Sequence, residues 1–113
     1  MNAPVIRQLS ADVCVAGQLE PPDMAWAARS GFKSVINNRP DFEGGPAQPT
    51  HAAMQAAAQG AGLEYVFLPV QGAYQSPEEI ARFAQLMQSL PKPILAFCRS
   101  GARSGRLYQA AQG

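Results

Sequence analysis

The chain has 113 residues, of which 47% are hydrophobic and 15% charged, and its net charge is +1. This length suits one domain with a single core, and the absence of a basic stripe argues against nucleic acid as a partner. No apolar run is long enough to span a membrane, and the first ten residues lack the apolar segment of a signal peptide. We therefore expect a cytoplasmic protein with no membrane partner.

Predicted strands and helices alternate along the chain, with glycines at 31 and 62 ending the first two helices. The pattern predicts strands at residues 5–9 and 12–16, a helix at 22–30, a strand at 32–36, a helix at about 50–61, a strand at 63–68, a helix after Ser76, a strand at 94–97 and a helix at 103–112. This alternation predicts an α/β fold with a mostly parallel central sheet and helices on both faces.

Residues 93–104, PILAFCRSGARS, carry the strongest chemical signal. The apolar run 94–97 suits a strand buried on both faces, which puts Cys98 at its carboxyl end, where open α/β sheets bind ligands. Gly101 permits a tight turn before the helix, and the turn's N–H groups and the helix dipole favour an oxyanion. We predict an anion-binding ring that consists of Arg99, Ser100, Gly101, Ala102 and Ser104.

Cys98 and Arg103 are the predicted catalytic residues. Such surroundings lower a cysteine pKa from about 8.5 to roughly 3.5–7.5, so Cys98 would be a thiolate at neutral pH. Arg103 can donate two parallel hydrogen bonds to an oxyanion, and the hydroxyl of Ser104 could hydrogen-bond the sulfur. The alternative is a structural cysteine beside solvated arginines.

Several polar residues are candidates for substrate contact or proton transfer. Asn38 and Arg39 follow the predicted strand 32–36 at the same sheet edge as Cys98, although both could simply form a turn. Asp41 is a candidate acid or another turn residue. Glu78 and Glu79 could donate a proton if their loop covered the site, but Ser76, Pro77 and Glu79 form a typical capping box.

The remaining reactive side chains have simpler interpretations. Cys14 lies in an apolar run and is expected to be a small buried hydrophobe, with a resolving thiol as the alternative. His51 stands without an acidic or cysteine cluster, so we expect no metal site and no cofactor. The methionines 24, 54 and 87 are expected to fill the core.

Four segments together resemble a known family. Cys98, Gly101, Arg103 and Ser104 are similar to the C-x-x-G-x-x-R-[ST] signature of cysteine-dependent phosphatases, shortened by one residue. With Gly17 and Gln18, VINNRPD at 35–41 and YVFLPV at 65–70, the chain resembles the DUF442 family, also called the beta-lactamase-hydrolase-like phosphatase domain. This resemblance implies a fold of the dual-specificity phosphatase type. It also implies a persulfide dioxygenase or another sulfide-oxidising enzyme as a fused or separate partner, because some members accompany such enzymes and are proposed to be sulfurtransferases.

Two departures from the phosphatase pattern favour sulfur chemistry. Only four residues separate Cys98 from Arg103, where phosphatases have five, and rhodanese-type sulfurtransferases also use a ring one residue smaller. Residues 71–75, QGAYQ, lack the expected general acid, which is worth about 10²–10⁴-fold for an alcohol leaving group. Sulfite leaves thiosulfate without such a proton. Phe97 also stands where phosphatases usually carry histidine.

The sequence therefore favours a sulfurtransferase that moves sulfane sulfur from thiosulfate or a persulfide through a Cys98 persulfide. The alternative is a phosphatase that acts on a phosphate ester through a phosphocysteine, and a third reading is a module that only binds an oxyanion. We expect residues 1–113 to form one phosphatase-like catalytic domain. The short final helix suggests a fragment or a module of a larger protein.

Overall fold

A computed structural model describes residues 3–72 and 74–112. Its elements in chain order are β1 (Ile6–Ser10), β2 (Val13–Ala16), α1 (Asp23–Arg29), β3 (Ser34–Asn37), α2 (His51–Gly60), β4 (Glu64–Phe67), α3 (Pro77–Ser89), β5 (Ile94–Phe97) and α4 (Ala102–Ala111). Every predicted helix and strand is present. None of the helices in the described ranges is both long and apolar enough to cross a membrane.

The five strands form one sheet in the order β1-β2-β5-β3-β4. The β1–β2 pair is antiparallel and the other pairs are parallel, which confirms the predicted mostly parallel sheet. Most boundaries differ from the predicted ones by one residue, and the largest difference is at β3, which begins at Ser34 and not at Phe32. The Phe32 N–H donates to the Ala27 carbonyl at 3.1 Å, so Phe32 still belongs to the exit of α1, where Gly31 has a φ of +100°.

Alternate side chains of the strands pack into two separate cores, as expected for a sheet covered on both faces. Cys14, Leu95 and Phe97 face α1 and α2, where they meet Met24 and Met54. The neighbouring residues of the same strands face α3 and α4, and their core contains Val13, Val15, Ile94, Ala96, Phe83, Met87 and Leu107. The predictions that Cys14 and the three methionines lie in the core are therefore confirmed.

Strand register brings three chain segments to one edge of the sheet. Phe97, the last residue of β5, is aligned with Ala16 of β2 on one side and with Asn37 of β3 on the other. Because these strands are parallel, the residues that follow them leave the sheet at the same level. This edge therefore collects the segments that begin at Gly17, Asn38 and Cys98.

The capping box predicted at the start of α3 is present. Ser76 Oγ accepts from the N–H of Glu79 at 3.1 Å, and Glu79 Oε1 accepts from the N–H of Ser76 at 2.8 Å. Two of the free N–H groups at the helix start are thus satisfied, and Glu79 is committed to this cap.

We predict that Ser76→Ala lowers the free energy of unfolding by about 1 kcal/mol, because the helix loses the acceptor for its Glu79 N–H. Urea denaturation followed by circular dichroism measures the change. Ser89→Ala, at the exposed end of the same helix, is the control and should change the midpoint much less. Equal effects of the two substitutions would contradict a stabilising cap.

Candidate active site

The loop between β5 and α4 folds back on the sulfur of Cys98. The N–H of Gly101 donates to Cys98 Sγ at 3.1 Å, and Gly101, with a φ of +92°, is the residue at which α4 begins. A Cβ at Gly101 would also lie 3.3 Å from the carbonyl carbon of Ala16. Glycine is therefore required both by the left-handed backbone and by the close approach of β2.

Cys98 is buried, with 1% of its surface exposed. Burial by itself would raise the pKa of Cys98, but hydrogen bonds from the backbone and hydroxyl of Ser104 and from the backbone N–H groups of Ser100 and Gly101 outweigh it. The pKa of Cys98 is consequently lower than that of an ordinary cysteine. Cys14 shows the opposite behaviour, since burial without such donors raises its pKa. The surroundings of the two sulfurs thus favour ionisation of Cys98 and disfavour ionisation of Cys14.

Arg103 extends from the first turn of α4 and is held on one side of its guanidinium. Its Nη1 donates to the carbonyl of Val70 at 3.0 Å, and its two Nη atoms contact the two carboxylate oxygens of Glu43 at 3.1 and 3.2 Å. Its Nε is buried and has no hydrogen-bond partner among residues 3–72 and 74–112. A Cβ at Gly72 would lie 3.2 Å from Nη2, so a side chain there would press on the guanidinium and require it to shift by a few tenths of an ångström.

Asn38 connects the end of β3 to the loop. The hydroxyl of Ser104 donates to Asn38 Oδ1 at 2.9 Å, and Asn38 Nδ2 donates to the carbonyl of Leu68 at 3.0 Å. Asn38 and Ser104 are both fully buried. The predicted position of Asn38, at the same sheet edge as Cys98, is confirmed. Its contact with a substrate stays a prediction.

Arg39 is buried next to this group. Its Nε donates to Glu43 Oε1 at 2.9 Å and its Nη1 donates to Gln18 Oε1 at 2.9 Å. Gln18 follows β2, and its own N–H donates to the carbonyl of Arg99 at 3.2 Å. Arg39 is therefore connected through Gln18 to the loop that follows β5.

Some predicted site residues have other partners. Asp41 Oδ1 accepts from the N–H of His51 at 2.7 Å, at the start of α2, so its carboxylate supports that helix. His51 stacks on Phe67 with ring centroids 4.2 Å apart. Arg99, Ser100 and Ala102 lie in the loop with exposed side chains. The roles of all these residues in catalysis or anion binding stay predictions.

Glu43 is the residue that the sequence did not single out. It lies in the loop after β3, 60 positions before Arg103, and nothing in its spacing or neighbours predicts contact with two arginines. Burial would raise the pKa of Glu43, but its hydrogen bonds to Arg39 and Arg103 and the charges of both outweigh burial and lower it. For Gln18, the family resemblance was the only indication in the sequence of a place in the site.

Two clefts border the segment between β5 and the start of α4. One has a volume of about 390 Å³ and touches Ser100, with Gln18, Leu19 and Asp23 in its wall. The other has a volume of about 530 Å³ and touches Ala102, with Arg7 and Arg106 in its wall. Ser100 and Ala102 thus each line a different cleft.

A buried low-pKa cysteine at the end of a central parallel strand, followed by a tight loop and an arginine in the first turn of a helix, defines a cysteine-phosphatase-like α/β domain. Solved structures support this class. The catalytic core of the PP-IP phosphatase SIW14 from S. cerevisiae has a TM-score of 0.69 at 15% identity and matches 90% of this chain and 60% of its own. At that identity the likeness concerns the fold alone.

The family is narrower than the class. The sequence profile of the beta-lactamase hydrolase-like protein, phosphatase-like domain, matches residues 5–113, and the chain belongs to this family. The resemblance drawn from the sequence is therefore confirmed.

Individual relatives agree with this assignment. The beta-lactamase hydrolase-like protein of Agrobacterium fabrum is 39% identical over 94 residues, which are 83% of this chain and 22% of that protein. The chain thus spans about a fifth of that relative's length. The structure of a proposed phosphatase from Neisseria meningitidis is 30% identical, has a TM-score of 0.82, and matches 89% of this chain and 71% of its own.

The low pKa of Cys98 makes a pH-dependent prediction. Thiolate absorbance of the Cys14→Ala protein, corrected with a Cys98→Ser form, should appear with a midpoint below the usual value of about 8.5. Ser104→Ala should raise that midpoint, because the sulfur loses a hydrogen bond that favours its charged form. A midpoint at or above that of free cysteine would contradict the stabilised thiolate.

Proposed function

We propose that this chain is the catalytic domain of a cysteine-dependent phosphatase, which hydrolyses a phosphoric monoester through a phosphocysteine on Cys98. The observation that carries the proposal is the buried sulfur of Cys98, which accepts the Gly101 N–H at 3.1 Å and has a lowered pKa. Arg103 lies in the first turn of the helix that follows it. Membership of a phosphatase-like family supports it, as does the structural similarity to the Neisseria protein.

The first step would form a sulfur–phosphorus bond. The thiolate of Cys98 attacks phosphorus in line with the ester oxygen, and the phosphorus–oxygen bond breaks. Backbone N–H groups of residues 99–104, the positive end of the α4 dipole and Nε of Arg103 would hold the phosphoryl oxygens. Because these donors are fixed before the substrate arrives, little reorganisation is needed as charge develops.

The second step would return the enzyme. Water attacks phosphorus, the sulfur–phosphorus bond breaks, and inorganic phosphate leaves while Cys98 regains the thiolate. Ser104 is placed to assist the departing thiolate, since its hydroxyl can donate either to Asn38 or to Cys98. As negative charge returns to the sulfur, the Ser104 hydroxyl would exchange its hydrogen bond to Asn38 Oδ1 for one to Cys98 Sγ.

The leaving alcohol of the first step needs a proton for fast reaction, and the segment after β4 offers no carboxylate between positions 68 and 76. Asp41 and Glu79 are engaged at the starts of α2 and α3. The site therefore suits esters whose leaving group departs as an anion, with aryl phosphates as the first class to test.

Sulfur transfer is the second candidate, favoured by the four-residue spacing between Cys98 and Arg103 and by this lack of an acid. Cys98 would attack the outer sulfur of thiosulfate, the bond between the two sulfur atoms would break, sulfite would leave, and a cysteine persulfide would remain. The matching family and the solved structures favour the phosphatase, which the sequence analysis gave as its alternative. They give the sulfurtransferase no specific support. A persulfide dioxygenase partner has no support from them either.

We predict that the protein releases phosphate from 4-nitrophenyl phosphate and that Cys98→Ser abolishes the release, because an alcohol at this position lacks the stabilised anion. Arg103→Lys should lower kcat by about 10²–10³-fold, because lysine keeps the charge but loses the planar fork. Arg82→Lys, on an exposed face of α3, is the matched control and should be silent.

An intact-mass measurement after incubation with thiosulfate separates the two candidates. A gain of one sulfur atom on the wild type and not on Cys98→Ser, without phosphate release from the ester, would replace phosphatase by sulfurtransferase. Phosphate release without that mass gain supports the phosphatase.

The lack of an acid after β4 makes a further prediction. The kcat for a series of aryl phosphates should fall steeply as the pKa of the leaving phenol rises, because the leaving oxygen carries most of its charge away unprotonated. A rate independent of the phenol would show that some group donates a proton, or that hydrolysis of the phosphocysteine limits turnover. Pre-steady-state release of 4-nitrophenol distinguishes these explanations.

A further inference from the structure

Glu43 binds two arginines at once, and both are more than nine-tenths buried. Its Oε1 accepts from Nε of Arg39 at 2.9 Å and from Nη2 of Arg103 at 3.2 Å, and its Oε2 lies 3.1 Å from Nη1 of Arg103. Arg39 and Arg103 are each 8% exposed. Two buried guanidinium groups that share one carboxylate would otherwise repel each other and lose hydration without compensation.

The contact also fixes the direction of the Arg103 side chain. A forked pair with both carboxylate oxygens holds the guanidinium plane as well as its charge. The Val70 carbonyl holds Nη1 from a second loop, at 3.0 Å. With the two Nη atoms restrained, the buried Nε is left without a partner in the described part of the chain, which makes it the donor available to an oxyanion.

The backbone around Glu43 fits this contact closely. Phe42 has a φ of +64°, a left-handed conformation that is strained for a residue other than glycine, and its side chain is exposed. A Cβ at Gly44 would lie 2.7 Å from Nη2 of Arg39. The chain therefore turns sharply just before Glu43 and has no side chain just after it. The Arg39 side chain occupies that space.

We infer that Glu43 is a positioning residue for the reaction at Cys98, which acts by holding Arg103 with its Nε directed to the transferred group. This inference rests on the proposed function, because it assigns Glu43 a part in the same transfer step. This positioning role differs from that of a general acid, which would protonate the leaving group. It also differs from that of a simple counter-ion, which would only neutralise charge.

Kinetics with two substrates distinguish these roles. Phenyl phosphate has a poorer leaving group than 4-nitrophenyl phosphate. For Glu43→Gln we expect kcat to fall by about 10–100-fold on both substrates by the same factor, because misplacing a catalytic group by about 1 Å can cost about 100-fold. Inhibition by inorganic phosphate should change by less than about threefold, since the lost hydrogen-bond geometry is offset by the extra positive charge.

Glu43→Asp and a remote control complete the kinetic test. Aspartate keeps the charge but is one methylene shorter, so kcat should also fall, whereas a counter-ion role predicts the wild-type rate. Glu64→Gln, at the exposed first position of β4, should be silent. A loss confined to phenyl phosphate would make Glu43 the general acid, and an unchanged or higher kcat would make it a counter-ion. Either result overturns the inference.

A measurement without turnover keeps the inference separate from the proposed function. In ¹⁵N-labelled protein, the Arg103 Nε–H signal, assigned by its loss in Arg103→Lys, should exchange slowly with water. In Glu43→Gln, with the circular dichroism spectrum unchanged, it should exchange at least tenfold faster because the guanidinium is no longer held. Equal exchange would overturn the positioning role. A wild type that binds inorganic phosphate but hydrolyses neither ester would instead overturn the proposed function.

Discussion

The hydrogen bond from the Gly101 N–H to Cys98 Sγ closes the chain on itself, and the geometry of the site depends on this closure. It requires a left-handed residue at the start of α4, which restricts that position to glycine. It turns successive N–H groups inward and aligns the positive end of a helix with the same point. A sulfur that is 1% exposed can then carry negative charge, because dipoles replace the water it has lost. The proposed anion binding and the lowered pKa of Cys98 thus have one origin.

A second constraint is charge balance. Arg39, Arg103 and Cys98 are all buried, and an unmatched charge in such surroundings would be costly. Glu43 supplies a negative charge to both arginines, Gln18 accepts from Nη1 of Arg39, and Asn38 accepts from the Ser104 hydroxyl. Within residues 3–72 and 74–112, the Nε of Arg103 is left without a hydrogen-bond partner. An isolated arginine on a flexible loop would have lost that orientation to solvent.

The predictable part of this protein is local in sequence. Residues 94–104 contain a buried strand, a nucleophile, a glycine and a helix start in one stretch, so their geometry follows from short-range rules, and β5 has the predicted bounds. The capping box at Ser76 is predictable for the same reason. Glu43 is not, because its partner lies 60 positions away and its loop has no periodic pattern to fix its path. Asp41, two positions earlier, was a candidate acid, yet its Oδ1 accepts from the N–H of His51 at the start of α2. Short polar loops offer several carboxylates, and only tertiary packing decides which one faces the arginines.

Strand order has a consequence for how the chain acquires its structure. β5 comes last among the strands along the chain but lies at the centre of the sheet, and β2 and β3 meet only through it. Until residues 94–97 are in place, the β1–β2 hairpin and the β3–β4 pair are two separate units, each with an open edge that can pair with another chain. A nascent polypeptide that has not yet reached residue 94 would therefore be exposed to misassociation during synthesis. Insertion of a single strand would seal both edges and assemble the anion-binding loop in one event.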